Sequence, residues 1–298
     1  MKDKNLMIGI IFCFAITVLF LLVIILEIKN SIDHDQEVQK MTIKIKKVEI
    51  VDNRDFSIFE TIKGDDGREM VLIPEGVFTR GSASGGFDEK PEQEIYLNAF
   101  YADKYEVSVE SYKKFRRAAN YVEPSVPFFQ GDHALLHEPK NPVVGVSWLD
   151  AVNFCKWAGK RLLTEAEWEK AARGTHGLIY PWGNKVLDKR ANLAGKADGY
   201  EYMAPVGSFP TGRSVYGVYD MAGNASEWVD DWYDQFYYQT APMMNPTGAE
   251  NKKNRVFRGG SWDSRKVDIR TPKRYAASPG RKDAVVGFRC GRSKTVSG

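Results

Sequence analysis

The sequence has few of the residues that metal centres and disulfide frameworks require. Its 298 residues include only four histidines and three cysteines. Four histidines leave little room for a multi-histidine iron or zinc centre, and three cysteines exclude both a four-thiolate metal site and a disulfide-dense small protein. Charge of either sign is also not in excess, since 42 basic and 39 acidic residues give a net charge of +3. This balance excludes a dedicated nucleic-acid coat, and we expect no nucleic-acid partner.

The composition that remains is typical of a globular protein. Apolar residues make up 43% of the chain and charged residues 27%, so wholesale disorder and collagen-like repeats are excluded. The length is sufficient for one large domain or two ordinary domains, each with its own core. The sequence also contains 7 tryptophans and 14 tyrosines, which suit buried cores and binding surfaces.

The N-terminus contains an uncharged segment, Leu6–Leu26, that is long enough to cross a bilayer. As a helix it would extend roughly 31 Å, about the thickness of the hydrocarbon layer. No small-residue cleavage site follows it, and Lys2 and Lys4 precede it. By the positive-inside rule, residues 1–5 are predicted to be cytoplasmic and residues 6–27 to form a transmembrane signal anchor. The rest of the chain is then periplasmic or otherwise extracytoplasmic, on a single-pass protein of the inner membrane.

Residues 28–68 differ in composition from the chain on either side. They are charged and contain no long apolar run, which is typical of a solvated stalk or linker. Within them, Thr42–Ile50 partly alternates apolar and charged residues. An alternative interpretation is therefore an edge strand that pairs with a neighbour. The globular domain is predicted at residues 69–293, followed by a tail at 294–298.

Local signals in the globular part predict short strands and three capped helices. Val71–Pro74 and Gly76–Thr79 resemble two strands around a turn, and Ile95–Val107 alternates like a strand or bent strand pair. After Gly174 no long periodic segment occurs. The predicted helix N-caps are Ser108, Ser147 and Thr164, and the predicted later strands are Arg255–Arg258 and Val285–Cys290.

Several motifs in the globular part occur together in one order along the chain. They are Asn141–Trp148, Ala158–Arg173, Tyr180–Asn184, Tyr219–Trp228, Arg258–Trp262 and Gly287–Cys290. In these motifs and their order, residues 69–293 resemble the formylglycine-generating enzyme, or sulfatase-modifying factor, superfamily. The resemblance implies an α+β fold, a variant of the C-type lectin fold with little regular secondary structure.

The resemblance also shows what this chain lacks. Formylglycine-generating enzymes use two cysteines after the Gly-Gly-Ser motif to bind copper, and the corresponding positions here are Ser264 and Ile269. Cu(I) selects soft thiolate ligands, which a hydroxyl group and an alkyl chain cannot replace. We therefore expect no copper cofactor and no copper-thiolate oxidase chemistry.

The resemblance implies a disulfide between Cys155 and Cys290. These residues match a pair that is disulfide-bonded in the enzymes, and an extracytoplasmic compartment would allow the bond. The alternative is a pair of free, buried thiols. The third cysteine, Cys13, lies within the predicted membrane segment and is expected to be inert.

Two structural Ca²⁺ sites are implied by the resemblance. All of their donors are hard oxygen atoms, which suit Ca²⁺ and not a soft metal. For the second set, the alternative is that the Asn and Asp side chains only cap turns. The first set consists of the side chains of Asp220 and Glu227 with the carbonyls of Gly223 and Ala225; the second consists of the side chains of Asn192 and Asp198 with the carbonyls of Leu193 and Tyr200.

His133 and His137 have a spacing that places two imidazoles on one face of an α-helix. This spacing can bind a transition metal, but the segment lacks the intervening glutamate of a zinc protease. The sequence favours a chance pair.

The C-terminal segment is strongly basic. From residue 255 onward, the chain contains twelve Lys or Arg residues and three Asp residues. One interpretation is that these side chains bond to carbonyls and carboxylates of the chain itself. The other is a surface for an anionic partner, such as a phospholipid head group or an acidic protein. We expect that surface to include Arg265, Lys266, Arg270 and Lys273.

Two functions are consistent with the sequence. The first is an accessory or binding subunit of a membrane-associated complex, which would explain the anchor and the missing thiolates. The second is a cysteine-independent enzyme of the same superfamily, acting in maturation or oxidation of a peptide or siderophore-type substrate. Its candidate catalytic residues are Asp263, Ser264 and Asp268, with Ser261 in support. The sequence provides no histidine base for them, which favours the first function.

Overall fold

The computed structural model describes residues 59–124, 127–250 and 253–294. The predicted cytoplasmic segment, the signal anchor and most of the predicted linker, including Thr42–Ile50, lie outside the described residues. Within those three ranges, no helix combines the length and the hydrophobicity that a membrane crossing requires.

The described residues form a mixed α+β structure in which most strands are short. The α-helices are α1 (Val109–Ala119), α2 (Trp148–Trp157), α3 (Glu165–Arg173) and α4 (Tyr237–Thr240). The strands are β1 (Thr61–Lys63), β2 (Glu69–Ile73), β3 (Gly76–Arg80), β4 (Gln93–Leu97), β5 (Phe100–Asp103), β6 (Arg161–Leu162), β7 (Ser226–Trp232), β8 (Arg255–Arg258), β9 (Tyr275–Ala277), β10 (Val286–Phe288) and β11 (Cys290–Ser293).

Three sheets organise these strands. The largest has the order β1-β2-β5-β11-β6, with every neighbouring pair antiparallel, so the C-terminal strand β11 lies between β5 and β6. A second sheet has the order β10-β7-β8-β9, with β10 parallel to β7. The hairpin β3-β4 forms the third. The turn predicted after β2 therefore joins strands of two different sheets.

The three long helices begin where their capping residues predict. The Ser108 hydroxyl accepts a hydrogen bond from the Ser111 amide at the start of α1. Ser147 and Thr164 form complete capping boxes at the starts of α2 and α3, in which the residue three positions later bonds back to the cap. Such caps satisfy amide groups that have no partner within the helix.

The main hydrophobic core lies between α1, α2 and the strands of both larger sheets. Phe154 of α2 packs against Tyr112 of α1 and Phe288 of β10. The predicted disulfide is confirmed: Cys155 and Cys290 are bonded and fully buried in this core. The bond joins α2 to β11, residues that are 135 positions apart in sequence.

The face of α3 that points inward carries charged side chains as well as apolar ones. Glu165 and Glu169 are buried and pair with the buried guanidinium groups of Arg258 and Arg274. Buried charges require such partners because they have lost their hydration. The network joins α3 to β8 and to the segment that leads into β9.

The folded domain includes residues that the sequence assigned to the linker. β1 pairs with β2, and Asp66 in the turn between them accepts hydrogen bonds from the buried Lys160 ammonium at 2.7 and 2.9 Å. Lys160 also pairs with Asp103 at 2.8 Å. The sequence did not reveal β1 because three half-exposed residues carry no periodic pattern.

Candidate functional site

The two positions that correspond to copper-binding cysteines lie side by side around Gly260. A Cβ atom on that glycine would lie 2.7 Å from Ile269 Cγ2 and 3.1 Å from Ser264 Oγ. Ser264 Oγ accepts a hydrogen bond from the Ser261 amide at 2.9 Å. Ile269 is buried with Tyr180, Ala191 and Ala222. The fold therefore brings the two positions together beside one glycine, where they supply one hydroxyl group and one packed alkyl chain.

The candidate catalytic acids are not arranged as an activated set. Asp263 is exposed, and its amide donates to Ser261 Oγ at 3.3 Å. The Asp268 carboxylate accepts from Arg265 Nε at 2.7 Å. Among the described residues, no hydrogen bond joins Ser264 to a histidine. Within residues 59–124, 127–250 and 253–294, Ser264 therefore lacks the hydrogen-bonded histidine that commonly activates a hydroxyl nucleophile.

An aromatic cluster lies next to this site. The ring of Trp262, which follows Ser261 in the chain, packs at centroid distances of 5.2 Å from Tyr202 and 5.8 Å from Phe129. Two shallow cavities adjoin the cluster, with volumes of about 360 and 600 Å³. They share Leu135, Tyr200 and Met203 as lining residues. The two cavities therefore form a groove beside the aromatic cluster, and its walls combine aromatic and aliphatic side chains with polar ones such as Asp132, Glu138 and Lys140.

The second predicted calcium set contains a buried oxygen atom without a partner. Asn192 is fully buried, and its Nδ2 atom donates to the Tyr202 carbonyl at 2.8 Å and to Asn224 Oδ1 at 3.0 Å. These bonds orient the amide, and its Oδ1 atom has no hydrogen-bond partner. The Asp198 carboxylate accepts from the amides of Leu193 and Tyr200, as in the turn-capping alternative. The unpartnered Asn192 oxygen fits a hard cation, which would satisfy it.

The carboxylates of the first predicted calcium set already accept hydrogen bonds from other groups of the protein. The two carboxylate oxygens of Glu227 accept from Arg289 at 2.6 and 2.7 Å, and Trp168 Nε1 donates to one of them. Asp220 accepts from the Gly207 amide at 2.6 Å, and burial raises the pKa of Asp220 to about 6. A cation here would have to share Glu227 with a guanidinium group. A Ca²⁺ ion therefore fits the oxygen donors of the second set better than those of the first.

Sequence reasoning missed Glu106, which lies beside both sets. Its carboxylate accepts from Asn224 Nδ2 at 2.7 Å and from the Ala225 amide at 2.9 Å. Burial, followed by repulsion from Asp220 and Glu227, raises the pKa of Glu106 well above its usual range. The only sequence signal was a single acidic residue within the alternating segment Ile95–Val107. Within the described part of the chain, no group of three or more His, Cys, Asp or Glu residues is arranged to hold a metal ion.

The four predicted anion-binding residues differ in their surroundings. Arg270 bonds in a bidentate manner to Glu89 at 2.8 Å; burial alone would raise the pKa of Glu89, but this guanidinium holds it below its usual value. The Lys273 ammonium lies 5.7 Å from the Tyr275 ring centroid. Arg265 and Lys266 are exposed, although each pairs with a nearby Asp. Of the four, Arg265 and Lys266 are exposed, whereas Arg270 and Lys273 are partly buried.

The histidine pair does not share a helical face. His133–His137 is a 3₁₀-helix with three residues per turn, so residues four apart point in different directions. Both imidazoles are exposed. This geometry agrees with a chance pair.

Comparison with known proteins gives one family and a group of relatives. Residues 56–294 match the model of the sulfatase-modifying factor enzyme 1-like domain. The chain is 37% identical over 240 residues to the serine/threonine-protein kinase pkn1 of Chlamydia caviae, an alignment that covers 75% of this chain and 38% of that protein. The chain therefore spans well under half the length of this relative.

Formylglycine-generating enzymes, one of them named as inactive, are among the relatives. The chain is 33% identical over 300 residues to the formylglycine-generating enzyme of Thermomonospora curvata, covering 79% of this chain and 97% of the enzyme. It is 32% identical over 278 residues to the inactive Cα-formylglycine-generating enzyme 2 of mouse, covering 75% and 85%. Among solved structures, PvdO from Pseudomonas aeruginosa superposes with a TM-score of 0.69 at 30% identity, covering 79% of this chain and 98% of PvdO.

Proposed function

Because this chain belongs to the sulfatase-modifying factor enzyme family, we propose that it is a family member without oxidase chemistry, acting as an accessory or binding subunit of a membrane-associated complex. The observation that carries the proposal is the pair around Gly260, where Ser264 and Ile269 offer no sulfur atom to a copper ion. The inactive mouse relative supports a role other than formylglycine formation. Membrane anchoring through residues 6–27 and an extracytoplasmic location are part of the proposal.

Copper binding and thiol oxidation test this proposal directly. The purified full chain is incubated with Cu(I), desalted and analysed for metal, and then mixed with a sulfatase-derived cysteine peptide. We expect neither stoichiometric copper nor peptide oxidation. The matched variant Ser264→Cys/Ile269→Cys places two sulfur atoms at the same glycine and should bind copper. Copper bound stoichiometrically by the unmodified chain, or peptide oxidation by it, would overturn the proposal.

The groove beside Trp262 supports a binding role. We propose that the aromatic and aliphatic side chains of its lining, among them Tyr200, Tyr202 and Met203, contact the ligand or partner subunit. Purification of the full chain from native membranes, without overexpression, should recover a stoichiometric set of partners. Tyr202→Ala should weaken that recovery, whereas Ala substitution of the exposed Gln239, which does not line the groove, should not. Protease accessibility in spheroplasts tests the extracytoplasmic location separately.

The alternative function is a cysteine-independent enzyme, favoured by the likeness to PvdO. In that case the chain would purify alone and would turn over a peptide or siderophore precursor. Asp263→Asn and Asp268→Asn would then reduce turnover without lowering the melting temperature. Recovery of a stoichiometric set of partners without any turnover would support the binding role and remove this alternative.

We also propose that the oxygen atoms of Asn192, Leu193, Asp198 and Tyr200 hold a structural Ca²⁺ ion. Support comes from the unpartnered, buried Asn192 Oδ1 atom. A bound ion stabilises only the folded state, so Ca²⁺ should raise the melting temperature relative to EDTA. Asn192→Ala should abolish this difference, and Asp220→Asn tests the first set in the same assay. No calcium effect on the unmodified chain would refute both sites.

A further inference from the structure

Two neighbouring loops present aliphatic side chains to solvent between basic residues. In the loop at residues 184–190, Val186 and Leu187 are 39% and 44% exposed. In the loop at residues 263–268, Val267 is 58% exposed. We call these three side chains and the cations around them the basic tip, which consists of Lys185, Val186, Leu187, Lys189, Arg265, Lys266 and Val267.

The two loops are held together on a common support. The rings of Tyr180 and Trp182 stack at a centroid distance of 5.4 Å with planes 9° apart. Trp182 Nε1 donates to the Lys185 carbonyl at 3.0 Å, and the Tyr180 hydroxyl donates to the Lys266 carbonyl at 3.3 Å. Each loop is therefore fixed through its backbone, and the side chains of the tip are left to face outward.

The charges of the tip are available to an external anion. Asp188 and Asp268 pair with Lys266 and Arg265, but both are exposed ion pairs, which contribute little stability and exchange readily with other partners. Lys185 and Lys189 are exposed on either side of Val186 and Leu187. Together the loops at residues 184–190 and 263–268 contain five cations and three carboxylates, which gives them a net charge of +2.

We propose that the basic tip docks on the surface of a bilayer that contains anionic phospholipid. Short aliphatic side chains flanked by lysines suit the boundary between head groups and acyl chains, where the ammonium groups extend to phosphate. The same composition is unfavourable for a protein interface, because lysine is depleted there and Leu and Val are rarely the residues that dominate binding. The inference rests on the proposed membrane location and adds a second, charge-dependent contact to it.

A fluorophore on the tip tests the inference in the full chain. Cys13 is replaced by serine, NBD is attached at Leu187→Cys, and the protein is reconstituted in vesicles of phosphatidylcholine alone or with 30% phosphatidylglycerol. We expect a blue shift and protection from aqueous quenchers only in the anionic vesicles. NBD on Gln239→Cys, an exposed position in another part of the domain, should show neither change.

Charge variants complete the test. Lys185→Gln/Lys189→Gln should lower the ratio of protected to unprotected protein in anionic vesicles roughly 25-fold, about fivefold per lysine, because each cation near such a surface contributes about 1 kcal/mol. Both residues are exposed, so the melting temperature should not change. Equal signals in both vesicle types, or protection only after addition of an acidic protein, would overturn the proposal. Failure of the chain to associate with either vesicle would instead remove the proposed anchor.

Discussion

Removal of the disulfide between Cys155 and Cys290 should cost this domain a large part of its stability. The bond closes a loop across 135 positions, for which the chain-entropy model gives about 5 kcal/mol at 25 °C. For a domain of this size, a loss of that magnitude corresponds to a decrease in melting temperature of about 10–20 °C. We therefore expect Cys155→Ala to unfold at markedly lower guanidinium concentration.

The three alanine variants distinguish this entropic effect from loss of packing. Either single substitution already breaks the bond, so Cys155→Ala/Cys290→Ala should cost little more than one of them. The unmodified chain treated with a phosphine reductant should resemble the double variant. Tryptophan fluorescence during guanidinium unfolding gives the free energies, and the slope should increase because the unfolded chain becomes more expanded. Additive losses, or a single loss below about 2 kcal/mol, would contradict the loop-closure argument.

Charged groups with little exposure give three further predictions. Glu165→Ala leaves the buried Arg274 without its carboxylate and Arg258 with Glu169 alone, and it should cost about 3–5 kcal/mol in urea unfolding, whereas Glu165→Gln should cost less; equal losses would contradict the charge argument. Burial lowers the pKa of Lys170 to about 7, so the unfolded state binds more protons above that pH. The free energy of unfolding should then rise between pH 7 and 10, by at most about 1.4 kcal/mol per unit, and Lys170→Met should lack this rise. The Arg255 guanidinium lies 3.6 and 3.5 Å from the ring centroids of Trp148 and Trp232, and Arg255→Lys should lose about 1 kcal/mol because an ammonium cannot stack between two rings; an unchanged melting temperature would refute this.

Features that depend on neighbouring residues were predictable from the sequence. Each helix start rests on contacts between a capping residue and the amide three positions later, so the pattern Ser147–Asp150 or Thr164–Glu167 was sufficient. The short strand Arg255–Arg258 was also recognisable, and its bounds agree with β8. In contrast, β7 was not predicted. Its residues are buried on both faces along most of their length, so they show no alternation of apolar and polar types.

The sequence predicted which residues belong to the candidate site, but it did not predict which of them contact one another. The motifs located Ser264, Ile269 and the oxygen donors, but the role of Arg289 as partner of Glu227 required two strands to be brought together. The same holds for Arg270, whose partner Glu89 is 181 positions away. A basic residue in the sequence does not reveal whether it faces a partner molecule or its own chain. The fold decides that question for each cation separately.

Sequence alone established the starts of three capped helices and the presence of a hydroxyl group and an alkyl chain in place of two thiolates. The helix starts follow from contacts within a few positions, the two replacements follow from residue identity, and the pairing of Cys155 with Cys290 was implied only by the family resemblance. Only the tertiary structure decided which groups are left without a partner, such as Asn192 Oδ1, and which side chains remain exposed, such as Val267. Burial and hydrogen-bond satisfaction depend on segments distant in the chain, and their energies are determined only when those segments pack together.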